Sequence, residues 1–362
     1  MARLRWIKKL WLAHRKRPIA GFTLIELLVS MVIGTIITGA LLSLVVDLNN
    51  TNQKDTARSE TQRDMQLAMN YITQDLREAV YVYDGQCLQG SGAATTFSTF
   101  CPGLVNYIPA VMTSNSAAGQ YIPALAFWRA DTLPDAVLQQ CRTAATTSQA
   151  ALDALTAANV PCISGKTYTL VVYAIVVDPQ TTANNPWQGR ARLVRYQFSQ
   201  FSSSGAANPG WVNPLPDPGT TFQQWPFRST TSAIQPTFVR PTNSPDVLVD
   251  FLDDTNAASL PTNQQPNCQD PSDTSSTATT NPRYVITPTS PTGGVRSFFA
   301  CIRGKTLTAS TLEQSVNQEV RLVLTGNVAG RSGFPLNTAS TTRLFPLQTR
   351  VLVRGSINKL PQ

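Results

Sequence analysis

The order of apolar and polar positions divides the chain into three unlike parts. Residues 22–46 (FTLIELLVSMVIGTIITGALLSLVV) are apolar almost throughout, and Glu26 is their single ionisable residue. Residues 27–46 make an uncharged run of 20, close to what a membrane-spanning helix needs at about 1.5 Å per residue. From Asp47 to about Tyr81 there is neither Pro nor Gly, and the composition predicts that the helix continues. Residues 47–62 are polar all round. An apolar stripe then appears at Met65, Ala68, Met69, Ile72, Leu76, Ala79, Val80 and Tyr83, the spacing of a helix face that packs on a body. Continuous from 22 to 81, such a helix would be roughly 90 Å long. Gly34 and Gly39 are the places where it would loosen, at up to about 1 kcal/mol each relative to Ala.

After Asp84-Gly85 the pattern changes to short alternating or apolar runs punctuated by Gly, Pro, Asn and Ser. Strands are predicted at 104–112, 122–129, 167–177, 191–201, 246–252, 297–303, 319–326 and 347–354, with short helices at 134–144 and 147–158. Residues 178–190, 202–245 and 255–293 read as loops. Within them Asp270–Asn281 (DPSDTSSTATTN) is of low complexity, the composition of a mobile surface loop. The fold class expected is α+β: a long N-terminal helix laid against an antiparallel sheet with large loop insertions. The organisation is a basic segment 1–21, an apolar helix 22–46, its continuation 47–83 and a globular head 84–362.

The formal net charge of +8 belongs to one place. Seven of the 29 basic residues (Arg3, Arg5, Lys8, Lys9, Arg15, Lys16 and Arg17) lie in the first 17 positions, which leaves 22 against 21 acidic residues elsewhere. The rest of the chain has no overall basic field to draw nucleic acid. The positive-inside rule keeps the basic segment cytoplasmic and exports the chain beyond residue 46, giving a single-pass inner-membrane protein with a periplasmic head. Trp6 and Trp11 among the leader's Arg and Lys suit an interface anchor. An ordinary signal peptide has a shorter apolar region and a small-residue cleavage site after it. Here the small residues, Ala20-Gly21, come before Phe22 and the apolar run. A plain signal anchor is the simpler reading of hydrophobicity alone. Glu26 argues against it: a carboxylate at membrane depth costs roughly 2.5–3.5 kcal/mol and needs a partner or a task. A cut after Gly21 would create that partner, the α-amino group of Phe22.

Lys16-Arg17-Pro18-Ile19-Ala20-Gly21-Phe22-Thr23-Leu24-Ile25-Glu26 resembles the prepilin signal of type IV pilins and type II secretion pseudopilins: basic leader, Gly, Phe, a short apolar or Thr stretch, Glu, apolar helix. The resemblance implies cleavage after Gly21 and N-methylation of Phe22 by a membrane prepilin peptidase. It implies assembly with other pilins on an inner-membrane platform, with Glu26 in the recruiting role, into a pilus or secretion filament. The lack of Pro in 22–46 is a departure from the family. Glu60–Gly90, Phe100-Cys101-Pro102-Gly103-Leu104 and Ala124-Leu125-Ala126-Phe127-Trp128 further resemble a cyanobacterial pseudopilin group linked to hormogonium polysaccharide secretion, which implies a part in polysaccharide export and gliding motility.

The only histidine is His14. A chain cut after Gly21 has none, which excludes Ser-His-Asp and Cys-His catalysis and His-ligated metals. No cofactor is expected and no enzyme activity is read. Cys87, Cys101, Cys141, Cys162, Cys268 and Cys301 all come after the apolar segment. An even number on an exported side favours disulfides, and six cysteines allow fifteen pairings; nearest-neighbour pairing closes local loops beside strands. Zinc would need clustered spacing such as CxxC, which is absent. Asp250, Asp253 and Asp254 could serve a calcium loop but lack EF-hand spacing. Trp128, Trp187, Trp211 and Trp225 could form a sugar-stacking face, or simply fill a core. The alternatives to a filament subunit are a membrane-anchored binding module and a glycan-acting enzyme with two carboxylates.

Overall fold

The structure, a computed structural model, describes residues 21–93, 100–116, 119–178, 186–215, 221–228, 231–268, 284–289, 294–303, 317–336 and 342–356. The basic leader with His14, Trp6 and Trp11, and the low-complexity segment 270–281, lie outside them. The chain divides into two compact units, 1–53 and Lys54–Gln362. Helix α1, Leu24–Arg77, runs unbroken through Gly34 and Gly39. Within residues 22–48 its apolar side chains are exposed. The helix is long and apolar enough to cross a membrane.

In the second unit, α1 buries Ala57, Thr61, Met65, Ala68, Met69, Ile72, Asp75 and Leu76. The stripe therefore begins two turns earlier than the polar composition of 47–62 predicts. Thr61 can be buried because its hydroxyl donates to the Ala57 carbonyl at 2.9 Å. The helix also ends earlier than predicted. It closes at Arg77, and Ala79–Val82 is strand β1, a β-branched and aromatic run suited to a pleated surface.

Helix α2 is Gly85–Gln89, capped by the Asp84 carboxylate, which accepts from the Cys87 N–H at 2.7 Å. Among the described residues the next elements are β2 (Asn115–Ser116), β3 (Gly119–Thr132), helices α3 (Asp135–Thr147) and α4 (Gln149–Ala157), β4 (Lys166–Val177), β5 (Ala191–Phe198) and β6 (Asp246–Leu252). The antiparallel first sheet has the order β1-β3-β4-β5-β6, with β2 on β3. A second antiparallel sheet joins β7 (Tyr284–Thr287), β8 (Phe298–Arg303), β9 (Asn317–Leu324) and β10 (Leu347–Ser356) in the order β10-β9-β8-β7. The expected α+β class holds, with two sheets in place of the single one expected.

Alternation along the strands builds two cores. Phe127, Val171, Tyr173, Ile175 and Leu193 of the first sheet share one core with the α1 stripe and with Phe298, Ile302, Val320, Leu322 and Val351 of the second sheet. The opposite face of the first sheet, with Trp128, Leu170, Val172, Val176 and Tyr196, is covered by Leu88, Leu104, Met112, Val212 and Trp225. This explains why β4 reads TLVVYAIVV, apolar at nearly every position: both its faces are buried. Among the contacts that tie the sheets together are two links to backbone groups. The Gln318 side-chain amide accepts from the Val82 N–H at 2.9 Å and donates to the Val82 carbonyl at 3.1 Å. Leu252 bridges Gly326. Gly326 makes a close approach there: a Cβ would lie 3.1 Å from Met65 Cγ and 3.3 Å from Thr61 Cγ2, tighter than ordinary packing.

Two further expectations are corrected. Residues 104–112 are not a strand but two 3-10 turns, Leu104–Asn106 and Ala110–Thr113; Gly103 at φ 80° and Pro109 break any extended run. Strand β7 falls inside the predicted loop 255–293. Its pairing with β8 and the buried bond from Thr287 Oγ1 to the Ala124 carbonyl (2.8 Å) are non-local. Disulfides join Cys87 to Cys101, Cys141 to Cys162 and Cys268 to Cys301, so each cysteine takes its neighbour in sequence.

The helix face gives a test. Ile72→Ala, at a fully buried position, is expected to destabilise the head by about 2–5 kcal/mol. Leu67→Ala, at a residue 58% exposed on the same helix, is expected to change stability by no more than about 0.5 kcal/mol. Denaturant unfolding monitored by tryptophan fluorescence measures both.

Candidate functional site: the N-terminus of the apolar helix

Gly21, Phe22 and Thr23 precede α1 as irregular, exposed chain, with Phe22 78% exposed and open space around Gly21. The Gly21–Phe22 peptide bond is thus accessible and outside the helix. Thr23 starts the helix: its carbonyl accepts from the N–H groups of Glu26 (3.0 Å) and Leu27 (3.2 Å), and its hydroxyl accepts from the Glu26 N–H at 3.4 Å. Thr23-Leu24-Ile25-Glu26 is therefore a helix N-terminus with the Thr-x-x-Glu spacing of a capping box. That spacing is present in the sequence, where the charge of Glu26 overshadows its position three residues after a Thr.

Glu26 lies in the first turn of α1, where a carboxylate is favoured by the positive end of the helix dipole, typically by about 0.3–1 kcal/mol. The hydroxyls of the apolar segment are served by the helix itself. Ser30, Thr35 and Thr38 donate to the carbonyls of Leu27 (2.9 Å), Val32 (2.8 Å) and Gly34 (2.7 Å). The Glu26 carboxylate differs from them in having no side-chain partner among the described residues. A cut after Gly21 would place a positive amine beside the positive end of the helix dipole, one turn from that carboxylate, so each charge would offset a problem of the other.

The head end of α1 carries a constellation that sequence reading misses. Asp75, in the last turn, is buried and accepts three hydrogen bonds: from Arg129 Nη1 at 2.5 Å, Arg195 Nε at 2.9 Å and the Tyr173 hydroxyl at 2.6 Å. Arg129 also pairs with Asp131 at 2.6 Å. Burial, and after it the charge of Asp75, holds the Tyr173 phenol well above its usual range, so it stays a donor. Arg129, Tyr173 and Arg195 come from three different strands, β3, β4 and β5, which is why spacing along the chain gives no hint. A lighter clamp sits earlier on the helix, where Arg331 reaches Glu60 at 2.9 Å and Asp64 at 2.5 Å.

The other sequence candidates are used within the fold. Asp250 Oδ2 accepts from the Gln188 and Gly189 N–H groups at 3.1 and 3.0 Å. Asp253 pairs with Arg343 at 2.9 Å and Asp254 with Arg190 at 2.7 Å. These carboxylates are not gathered around one point, and no metal-binding group is present among the described residues. Trp128 and Trp225 are fully buried 5.3 Å apart in the first-sheet core. Trp211 packs against that same core, and Trp187 stands at the surface beside Arg192. The four do not form a sugar-stacking face.

Residues 16–42 match the family model described as the prokaryotic N-terminal methylation motif. No curated protein and no solved structure matches the chain. The match spans Gly21, Phe22, Glu26 and most of the apolar segment 22–46. Motif and helix together support a type IV pilin-like prepilin fitted to membrane anchoring. The motif implies processing by a prepilin peptidase and assembly with other pilins.

Asp75→Ala would leave two guanidinium groups facing a buried gap. It is expected to destabilise the head by about 3–5 kcal/mol. Arg331→Gln, whose partners are 59% and 43% exposed, should cost no more than about 1 kcal/mol. Equal losses in chemical denaturation would refute the distinction between the two clamps.

Proposed function

We propose that this chain is a minor pilin or pseudopilin, cut after Gly21, N-methylated on Phe22 and assembled through α1 into a type IV pilus-like or type II secretion-like filament. The leader stays on the cytoplasmic side and the head is exported. The observation that carries the reading is the solitary Glu26 carboxylate, one helical turn from the position of the amine that cleavage would release. Within an apolar bundle, pairing that carboxylate with the Phe22 amine of its own or a neighbouring chain neutralises both charges and sets the axial register between subunits. The mechanism is mechanical: apolar helices leave the bilayer for a protein bundle, and the head rides on the stem. A head of about 280 residues suits a subunit that primes assembly or decorates a tip.

The narrower reading is service to export of an extracellular polysaccharide and to gliding motility. It is supported by the resemblance of residues 60–90, 100–104 and 124–128 to pseudopilins of that kind. These residues include the last turns of α1, β1, α2, the Cys87–Cys101 bridge and the buried Trp128, the joint between stem and head. A membrane-anchored binding module or glycan-acting enzyme would need neither the amine nor the carboxylate.

Glu26→Gln and Glu26→Ala separate the two roles available to this side chain. Gln keeps the capping geometry and loses the charge; Ala loses both. Both variants are expected to insert in the membrane at wild-type levels. Both should be depleted from sheared filaments or crosslinked pilin assemblies by at least about tenfold, the loss of roughly 1.4 kcal/mol or more of pairing. Normal assembly of the Gln variant would show that capping suffices and that the ion pair plays no part.

A further inference from the structure

The two faces of the second sheet are treated unequally. One face is core. The other presents Phe299 and Cys301 of β8, Arg321 and Val323 of β9, and Gln348 and Arg350 of β10, backed by a small cluster around Tyr284 and the Cys268–Cys301 bridge. Between these strands and the segment 255–268 lies an open groove of about 1250 Å³. It is larger than the roughly 300–1,000 Å³ of a small-molecule pocket and of a size for several units of a chain molecule.

Its chemistry is one-sided. Arg296, Arg321, Arg343 and Arg350 line it. Arg321 and Arg350 are direct cross-strand partners, an arrangement of like charges that destabilises a sheet unless something offsets it. Glu319 offsets it from below, with Oε1 at 2.5 Å from Arg350 Nε and 3.4 Å from Arg321 Nε. The Glu319 side chain is 3% exposed and that of Arg350 63%. Asp253, under Arg343, is 2% exposed. The carboxylates are thus sunk in the fold, and Arg350 is the guanidinium most exposed to the groove, while Arg321 lies against the Tyr284 ring. Arg296 donates from Nη2 to the Thr289 carbonyl, and its Nε has no partner among the described residues. Side-chain amides of Gln264, Gln265 and Gln348 add hydrogen-bonding groups, and the Phe345 ring stands on the lining 88% exposed.

We propose that this groove binds an acidic oligosaccharide. Arg350, held by Glu319 through Nε and Nη2, supplies its outward N–H donors and the lining its positive charge for carboxylates, amides match ring hydroxyls, and an exposed phenyl ring can cover the apolar face of a pyranose. A peptide would fit less well: strand addition needs a sheet edge, and helix docking needs an apolar trough, whereas this is a sheet face studded with guanidinium. The site lies wholly in the unit Lys54–Gln362, so it stands or falls independently of the filament reading.

The test uses the full chain in a detergent without a sugar headgroup, with calorimetric titration of tetragalacturonate, cellotetraose as the neutral probe and tetraglutamate as the acidic peptide. Tetragalacturonate is expected to bind saturably and at least about tenfold tighter than either comparator, weakening several-fold between about 0.05 and 0.3 M NaCl. Phe345→Ala, at an exposed side chain, is expected to weaken it at least about fivefold while leaving the unfolding temperature unchanged; Arg350→Gln is expected to weaken it as much and also to lower the unfolding temperature, because it takes a partner from the buried Glu319 carboxylate. No saturable binding, binding indifferent to both substitutions, or equal binding of cellotetraose or tetraglutamate would overturn the proposal.

Discussion

A carboxylate in the first turn of a helix that is otherwise apolar for about 20 residues is the constraint on which this protein turns. Lipid does not tolerate Glu26 without compensation of roughly 2.5–3.5 kcal/mol. The helix supplies part of it through its N-terminal dipole and through the Thr23 start, which fixes where the side chain emerges. Neither removes the charge. In the proposed filament the missing counter-charge is the chain's own new terminus, so that one cleavage both discards the basic leader and completes the pair. In that proposal the pairing lowers the cost of holding either charge in an apolar medium.

The other end of the same helix is governed by the same rule in a different setting. Asp75 is buried, yet three donors from three strands converge on it. Burial of a charge is tolerable when it is paired and fully hydrogen-bonded. The apolar stripe from Ala57 to Leu76 supplies the bulk of the attachment, sharing one core with residues of both sheets. The ionic clamp adds a fixed rotational setting, since a helix turned by one residue would bring Asp75 into apolar surroundings.

Much of this is legible in the residues. The apolar run, the displaced charge, the stripe from Met65 and the β4 sequence each come from periodicity and composition, and the cysteines pair with their sequence neighbours. The features that are not legible depend on distant partners. Thr61 looks solvated until the distant Gly326 comes up against it. Tyr284–Thr287 looks like loop until β8 and Ala124 supply its hydrogen bonds. Leu104–Asn106 looks like strand because apolar content outweighs the Gly and Pro beside it. The second sheet is hidden for a related reason: strand candidates in one dimension do not say how many sheets they form. At the functional end the motif residues stand out and the Thr23 cap does not, because a capping box in an apolar segment is overshadowed by the charge it contains.

The most direct test of the account is intact and tandem mass spectrometry of the N-terminus of the protein recovered from membranes of cells that carry a prepilin peptidase. The account predicts a chain beginning at Phe22 with a methyl group on its α-nitrogen, and retention of the uncut chain when the peptidase is deleted. Recovery of a chain that still begins at Met1 in the peptidase-bearing cells would contradict it, because Glu26 would then have no terminal amine with which to pair.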